Sequence, residues 1–322
     1  MTSTGKHMTI RGIHHVTGIS GPAQDNLDFY VGVLGLRFVK RTVNFDDPGT
    51  YHFYFGDDLG RPGTILTFFP WSGVPKGRSG QGMTTETSFI VPEGSIEFWL
   101  ERFADLALDF DAPETRFGVR VLPFRDNDGL PLALVESPRA TDLPDRTYES
   151  LPSEHNIRGF DGVTLSSLAP DETTRILTDV FGYEETGREN GRVRYRPVDD
   201  GKLRAGQNID LVESPVRGLQ GAGTIHHVAF RVKGNDEQLY WRERVAEAGL
   251  RVTDVQERNY FRSIYFREPG GILFEIATDE PGFTADEPAE SLSSELKLPE
   301  WYEPRRAELE TRLPEIRVPK VS

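Results

Sequence analysis

Two histidine doublets and one glutamate are the residues in this chain whose types and spacing could do chemistry. The doublets stand in IHHVTGIS (Ile13–Ser20) and IHHVAFRV (Ile225–Val232), and the glutamate in GILFEIAT as Glu275. Read as strands, neighbouring side chains face opposite ways, so His15 and Thr17 share one face while His14 and Val16 share the other. Val228, Phe230 and Val232 read as the face packed on a helix, which leaves His227 on the concave side of a sheet. Ile272, Phe274 and Ile276 leave Glu275 there too. A carboxylate flanked by apolar residues in a half-buried strand is costly unless it is paired or bound to a cation. Two imidazoles and one carboxylate on one face form the facial set that holds a non-haem ferrous ion and leaves coordination positions open. His15, His227 and Glu275 are therefore the expected metal ligands. His52 in YHFYF and His155 read as structural, and His7 as a residue of a disordered tail.

Four segments must position these groups. Each opens with a short apolar or β-branched strand: IHHVTGIS, TETSFIVP, FDGVTLSS and IHHVAFRV. A stretch that can be helical follows each, at Gln24–Leu34, Ser95–Leu106, Asp171–Phe181 and Asp236–Ala248, usually stopped by a glycine. Further strands, among them TILTFFP, LPLALVESP, NIDLVESP and ILFEIATDEP, close each unit. The pattern predicts an α+β chain of four βαβββ modules forming two cupped mixed sheets, with the metal in the cup built from modules one and four. Residues 1–150 hold modules one and two, and residues 151–322 hold modules three and four plus a C-terminal tail. Pro138–Gly159 reads as the linker, and Glu303–Arg312 as a short helix docking on the body.

The spacing tests the ligand set. Glu275 lies 48 residues after His227; the same step from Gly162, at the histidine position of module three, reaches Asp210. That carboxylate has no histidine beside it, and module one closes on Thr67, so only modules one and four supply ligands. EPGG (Glu268–Gly271) reads as a tight hairpin turn and not as a phosphate loop, because no lysine or helix follows it.

Composition narrows the partners. The 322 residues carry 37 Lys+Arg against 51 Asp+Glu, a net charge of -14, which repels nucleic acid. No stretch is apolar enough for a membrane span, and the first residues lack a secretory pattern, so a cytoplasmic location is expected. Without cysteine there are no disulfides, thiolate nucleophiles or iron–sulfur clusters. Lysine-poor acidity fits either a salty cytoplasm or a GC-rich genome. The surface permits a homo-oligomer.

The doubled HH, the closing glutamate and the βαβββ repeat resemble the vicinal oxygen chelate superfamily of glyoxalase I, bleomycin-resistance proteins and extradiol dioxygenases. More narrowly, IHHVTGIS, TIHHVAFRV and RNYFRSIYFREPGGILFEIATD resemble the hydroquinone and chlorohydroquinone ring-cleaving dioxygenases. Catechol-cleaving extradiol enzymes take their first histidine from module three, where this chain has Gly162; the hydroquinone branch takes it from module one. The resemblance implies Fe(II), with Mn(II) compatible with the same donors, on His15, His227 and Glu275. It also implies supporting roles for His14, Thr17, His226, Arg258 and Tyr265, and a small aromatic substrate with dioxygen as partners. From the residues alone, Arg258 reads first as a surface ion pair with Glu257 or Asp254, a reading that the resemblance reverses, and His226 is expected to act from behind its strand unless the strand twists or bulges. Two rival readings stand beside the dioxygenase: a glyoxalase-like isomerase or lyase, and a non-catalytic protein that binds an aromatic compound.

Overall fold

Alternating β-branched and aromatic residues followed by one-faced helices give four copies of the same unit in a computed structural model, which describes residues 9–145, 151–198 and 201–319. Unit one runs β1 (Ile13–Ser20), α1 (Ala23–Leu27), β2 (Arg37–Val43), β3 (Tyr51–Gly56) and β4 (Ile65–Pro70). Unit two runs β5 (Met83–Pro92), α2 (Ile96–Asp105), β6 (Glu114–Arg116), β7 (Val119–Arg125) and β8 (Pro131–Ser137). Unit three runs β9 (Phe160–Ser166), α3 (Pro170–Arg175), β10 (Tyr183–Glu189), β11 (Arg192–Pro197) and β12 (Asn208–Val212). Unit four runs β13 (Thr224–Val232), α4 (Asn235–Glu247), β14 (Gln256–Glu257), β15 (Arg262–Arg267) and β16 (Leu273–Thr278).

In every unit the first strand lies parallel to the last, and units then join through antiparallel first strands. One eight-stranded sheet has the order β14-β15-β16-β13-β1-β4-β3-β2, the other β10-β11-β12-β9-β5-β8-β7-β6. Units one and four thus form one sheet, and units two and three the other, the α+β architecture expected from the repeat. Among the described residues no helix is long and apolar enough to cross a membrane.

The helices bury one stripe each. In α2 the inward residues are Ile96, Trp99 and Phe103, and in α4 they are Gln238, Trp241 and Val245, both at helical spacing. Buried Gln238 donates to the carbonyls of Arg262 and Ile276, which fixes α4 against the β15–β16 hairpin that carries Tyr265 and Glu275. The helices expected at Gln24–Leu34 and Asp171–Phe181 differ in one respect. After α1 and α3 the chain widens into π-helical turns, Asp28–Val33 and Ile176–Val180, before stopping at Gly35 and Gly182.

The crossovers from unit one to two and from unit three to four carry one pattern, Gly77-x-x-Gly80-x-Gly82 and Gly218-x-x-Gly221-x-Gly223. They lie against each other with backbone bonds such as Arg78 N to Leu219 O and Gly218 N to Gln81 O. A Cβ on Gly221 would sit 2.4 Å from Pro75 O, so glycine is required where the ribbons touch.

Beyond β16 the tail covers the β2 edge. Buried Lys40 binds Asp286 (2.6 Å) and Glu287 (2.5 Å), and Lys297 N donates to Arg41 O. The helix expected at Glu303–Arg312 is a 3-10 turn (Glu300–Arg305) leading into α5 (Arg306–Arg312), which buries Leu309. Tyr302 donates to Phe45 O, so the tail also braces the loop after β2. His155 stacks on Phe98 at 4.5 Å, a packing role, while His7 lies outside the described residues. EPGG forms its turn around buried Glu268, whose carboxylate accepts from the amides of Gly270 and Ile272.

Candidate metal centre

Strand alternation placed His14 and His226 behind their strands, and the pairing of β1 with β13 corrects this. Between Ile13↔Phe230 and His15↔Ala229, β1 advances by two residues and β13 by one. Between Thr17↔His227 and Gly18↔Ile225 the excess is on β13. His14 and His226 are the extra residues of two β-bulges, and a bulge re-aims side chains next to functional sites. Each doublet therefore meets ring to ring. His14 Nδ1 lies 2.9 Å from His15 Nδ1, and His226 Nδ1 lies 2.7 Å from His227 Nδ1. Both His14 and His15 contact the ring of Phe261, which places them on one side of the sheet.

With one nitrogen of each inner imidazole so occupied, both Nε2 atoms converge on Glu275. Its Oε2 lies 2.8 Å from His227 Nε2 and 3.3 Å from His15 Nε2. Glu275 is fully buried, Ser263 donates to its Oε1, and Oε2 nevertheless takes no well-formed hydrogen bond. Donor atoms of His15, His227 and Glu275 all lie within 4.8 Å of one another. Burial works to raise the Glu275 carboxyl, yet the two imidazoles outweigh it and hold the group well below the usual carboxylate range. A dry carboxylate oxygen without a proper donor, between two nitrogens whose far sides are already bonded, fits a divalent cation.

The register explains why unit one adds no fourth donor. Ala229 pairs with Glu275, and at the matching place in unit one Thr17 pairs with Thr67. Thr67 donates to Thr17 (2.9 Å) and is bonded to His52 Nε2 (2.8 Å), whose Nδ1 meets Tyr54 OH (2.9 Å). His52, read from sequence as merely structural, lines the same cavity as His15 and His227, its ring tilted against those of Tyr54 and Phe69. Ser263 was also missed; the signal was its place two residues before Tyr265, which pairs directly with Glu275.

The cavity has a volume of about 530 Å³, within the range of small-molecule sites. Phe69, Trp71 and Phe261 give it aromatic walls, and Asn44, Asp46 and Asp47 form part of its rim. Arg258 pairs with neither Glu257 nor Asp254. Its Nε donates to Tyr265 OH (3.1 Å), it donates to Gln256 (2.6 Å), and it reaches Asp46 at 3.4 Å. Burial and the Glu275 charge raise the Tyr265 phenol above its ordinary range despite Arg258, so it stays protonated.

Burial lowers His14 and His52 well below the ordinary imidazole value of 6.5, and His226 to about 3. Folded-state values below the unfolded ones mean stability is present above pH 6.5 and lost as pH falls toward the folded values. Asp126, raised by burial to about 6, works in the opposite sense, as do Asp161 and Asp279, also raised by burial; they stand against four imidazoles, since burial lowers His227 too. The melting temperature of metal-free protein should fall between pH 7 and about pH 5, before most carboxylates titrate. A flat or rising melting temperature over that interval would contradict neutral, buried imidazoles.

The other cup shows what replaces such a centre. Its register puts Glu86 where unit one has His15, Gly162 where unit four has His227, and Asp210 where Glu275 stands. Arginines fill it instead: Arg194 grips Asp210 at 2.7 and 2.9 Å, Arg192 adds a bond at 3.1 Å, and Arg116 holds Glu86 at 2.5 Å.

Fold and site together define a family. Residues 12–134 and 160–276 match the Glyoxalase/Bleomycin resistance protein/Dioxygenase superfamily, and the chain belongs to it. Among its relatives, MhqO of Bacillus subtilis (strain 168), which carries the name of a ring-cleaving dioxygenase, is 48% identical over 303 residues, 94% of this chain and 95% of its own. Chlorohydroquinone/hydroquinone 1,2-dioxygenase of Sphingobium indicum is 34% identical over 307 residues, 93% of this chain and 95% of its own. A crystal structure named for a dioxygenase of Bacillus subtilis superposes with a TM-score of 0.92 at 46% identity, over 98% of this chain and 99% of that one. Glyoxalase I from Zea mays shares the fold, with a TM-score of 0.61 at 12% identity over 83% of this chain and 92% of its own.

Proposed function

We propose that the chain is a ring-cleaving dioxygenase that opens hydroquinone-type aromatics with dioxygen, on a ferrous ion held by His15, His227 and Glu275. The observation that carries this reading is a buried facial set of two imidazoles and one carboxylate with Thr67 where a fourth ligand would stand. A closed octahedral site of the isomerase type needs that fourth donor. A sequestering protein needs no convergent donors at all. The named activities of the relatives support the same choice. The nitrogen and oxygen donors accept Mn(II) as well as Fe(II).

When bound, the ferrous ion supplies open coordination positions and a path for electrons between the aromatic ring and dioxygen. The chain supplies the rest. His14 and His226 hold the inner rings through Nδ1, so that each Nε2 is turned to Glu275. Thr17 is set by the Tyr54–His52–Thr67 relay. Tyr265, protonated, offers its hydroxyl to a substrate oxygen, and the neighbouring Arg258 charge stabilises a phenolate or other anion developing there. Phe69, Trp71 and Phe261 face the cavity with apolar surface and limit water.

Removal of metal tests the reading. Chelator-treated protein should take up no oxygen with hydroquinone, and Fe(II) added without air should restore uptake while Zn(II) does not. Full activity in demonstrably metal-free protein would refute the reading.

A further inference from the structure

A second cavity, about 370 Å³, adjoins the metal cup, and His226 lines both. Its other walls include Gln81, Leu168, Arg217, Gln220 and Arg267, at the crossing of the two glycine-patterned ribbons. The chain has a net charge of -14, and many of its arginines are paired with carboxylates. Among the described residues Arg217 and Arg267 have no carboxylate partner: Arg267 donates to Gly271 O (2.5 Å), and Arg217 accepts from Arg78 through its backbone carbonyl. The amides of the lining glycines are already spent, Gly82 on Ser166 O, Gly218 on Gln81 O and Gly271 on Glu268 O. Among the described residues the donors that line this cavity include the two guanidiniums and the side-chain amides of Gln81 and Gln220, beside the His226 ring. With His227 Nε2 committed to a metal, its Nδ1 carries the proton and donates to His226 Nδ1, which leaves the His226 proton on Nε2.

We propose that this cavity is a carboxylate site, the way out for the ring-opened product past His226. This rests on the ring-cleaving reading. Cleavage between a hydroxyl-bearing ring carbon and its hydrogen-bearing neighbour breaks one carbon–carbon bond and adds one oxygen atom to each carbon. Four electrons pass from those carbons to dioxygen, no atom is lost, and the product is an aldehyde with a carboxylic acid that ionises at neutral pH. The neutral diol that enters carries no charge, whereas the product does. An anion is repelled by the acidic surface as a whole and attracted where unpaired guanidiniums stand, so charge separates exit from entry.

The probe is cis,cis-muconate, a stable six-carbon dicarboxylate, titrated calorimetrically into Fe(II)-loaded protein without oxygen. Saturable binding is expected, weakened roughly tenfold or more for each guanidinium removed in Arg217→Ala, Arg267→Ala and the double variant. Leu168→Trp, which fills the cavity without touching charge, should abolish binding and make product inhibition of oxygen uptake shift in parallel. No binding by the parent, or equal binding by the double variant, would overturn the proposal. Inorganic phosphate competing as well as muconate would reduce it to a general anion site and overturn the product assignment. Oxygen uptake with hydroquinone decides the catalytic reading separately: arginine-dependent muconate binding without uptake would leave a carboxylate site and remove its link to ring cleavage.

Discussion

Glu275→Gln should lose its metal, with affinity falling by more than about 100-fold and oxygen uptake falling at least as far. The substitution keeps size and shape but replaces an anion by an amide at the point where both Nε2 atoms converge. Without metal, the wild-type site is a fully buried carboxylate whose Oε2 lacks a well-formed donor. The amide keeps the size of the side chain but gives up the attraction of the two imidazoles that holds the carboxylate ionised, so the metal-free variant should melt lower than metal-free wild type. The two proteins should part further when Fe(II) is added: the wild type gains melting temperature through ligand linkage, and the variant does not. Retained iron with full activity in the variant would remove Glu275 from the centre. A lower melting temperature with the Fe(II)-dependent gain intact would show a packing role instead.

Arg258→Met should cost roughly 10²–10³ in kcat while leaving iron content unchanged, the loss seen when a preorganised charge donor is removed from a reacting anion. The long apolar side chain preserves much of the volume beside Tyr265. What disappears is the bond to the phenol, the hold on Gln256 and the approach to Asp46. Tyr265→Phe separates the contributions: it deletes the hydroxyl while the guanidinium keeps its other partners, so its loss should be smaller. If Arg258→Met instead raised KM with kcat unchanged, Arg258 would bind substrate and transition state alike and serve only at the entrance. Unchanged kinetics would exclude it from the reaction.

Much of this centre was legible in the sequence. Doubled histidines opening two repeats, and a glutamate between the apolar residues of a closing strand, identified the three converging donors before any strand was paired. The four βαβββ units were visible in the same way, because local hydrophobic pattern and helix stops carry them. What the pattern could not show was set by contacts between distant strands. Alternation within one strand sends His14 and His226 to the far face; only the two-against-one pairing of β1 and β13 turns them back. His52 was unreadable for a related reason, since its partner Thr67 and its place in the cavity depend on how β3 meets β4. Arg258 found Asp46, more than 200 residues away in sequence, and no local charge pattern announces that pair. The glycine spacing shared by the two crossovers was present in the sequence, but its meaning lies in the close backbone approach of two ribbons.

Oxygen consumption reports the reaction itself. Protein carrying one Fe(II) per chain would be mixed with hydroquinone, methylhydroquinone, chlorohydroquinone or catechol in an oxygen electrode cell, with absorbance followed in parallel. Rapid uptake is expected with the hydroquinones, one dioxygen per ring, with a new absorbing ring-opened product and catechol much slower. No uptake with any of the four, from protein shown to hold its iron, would contradict the ring-cleaving reading.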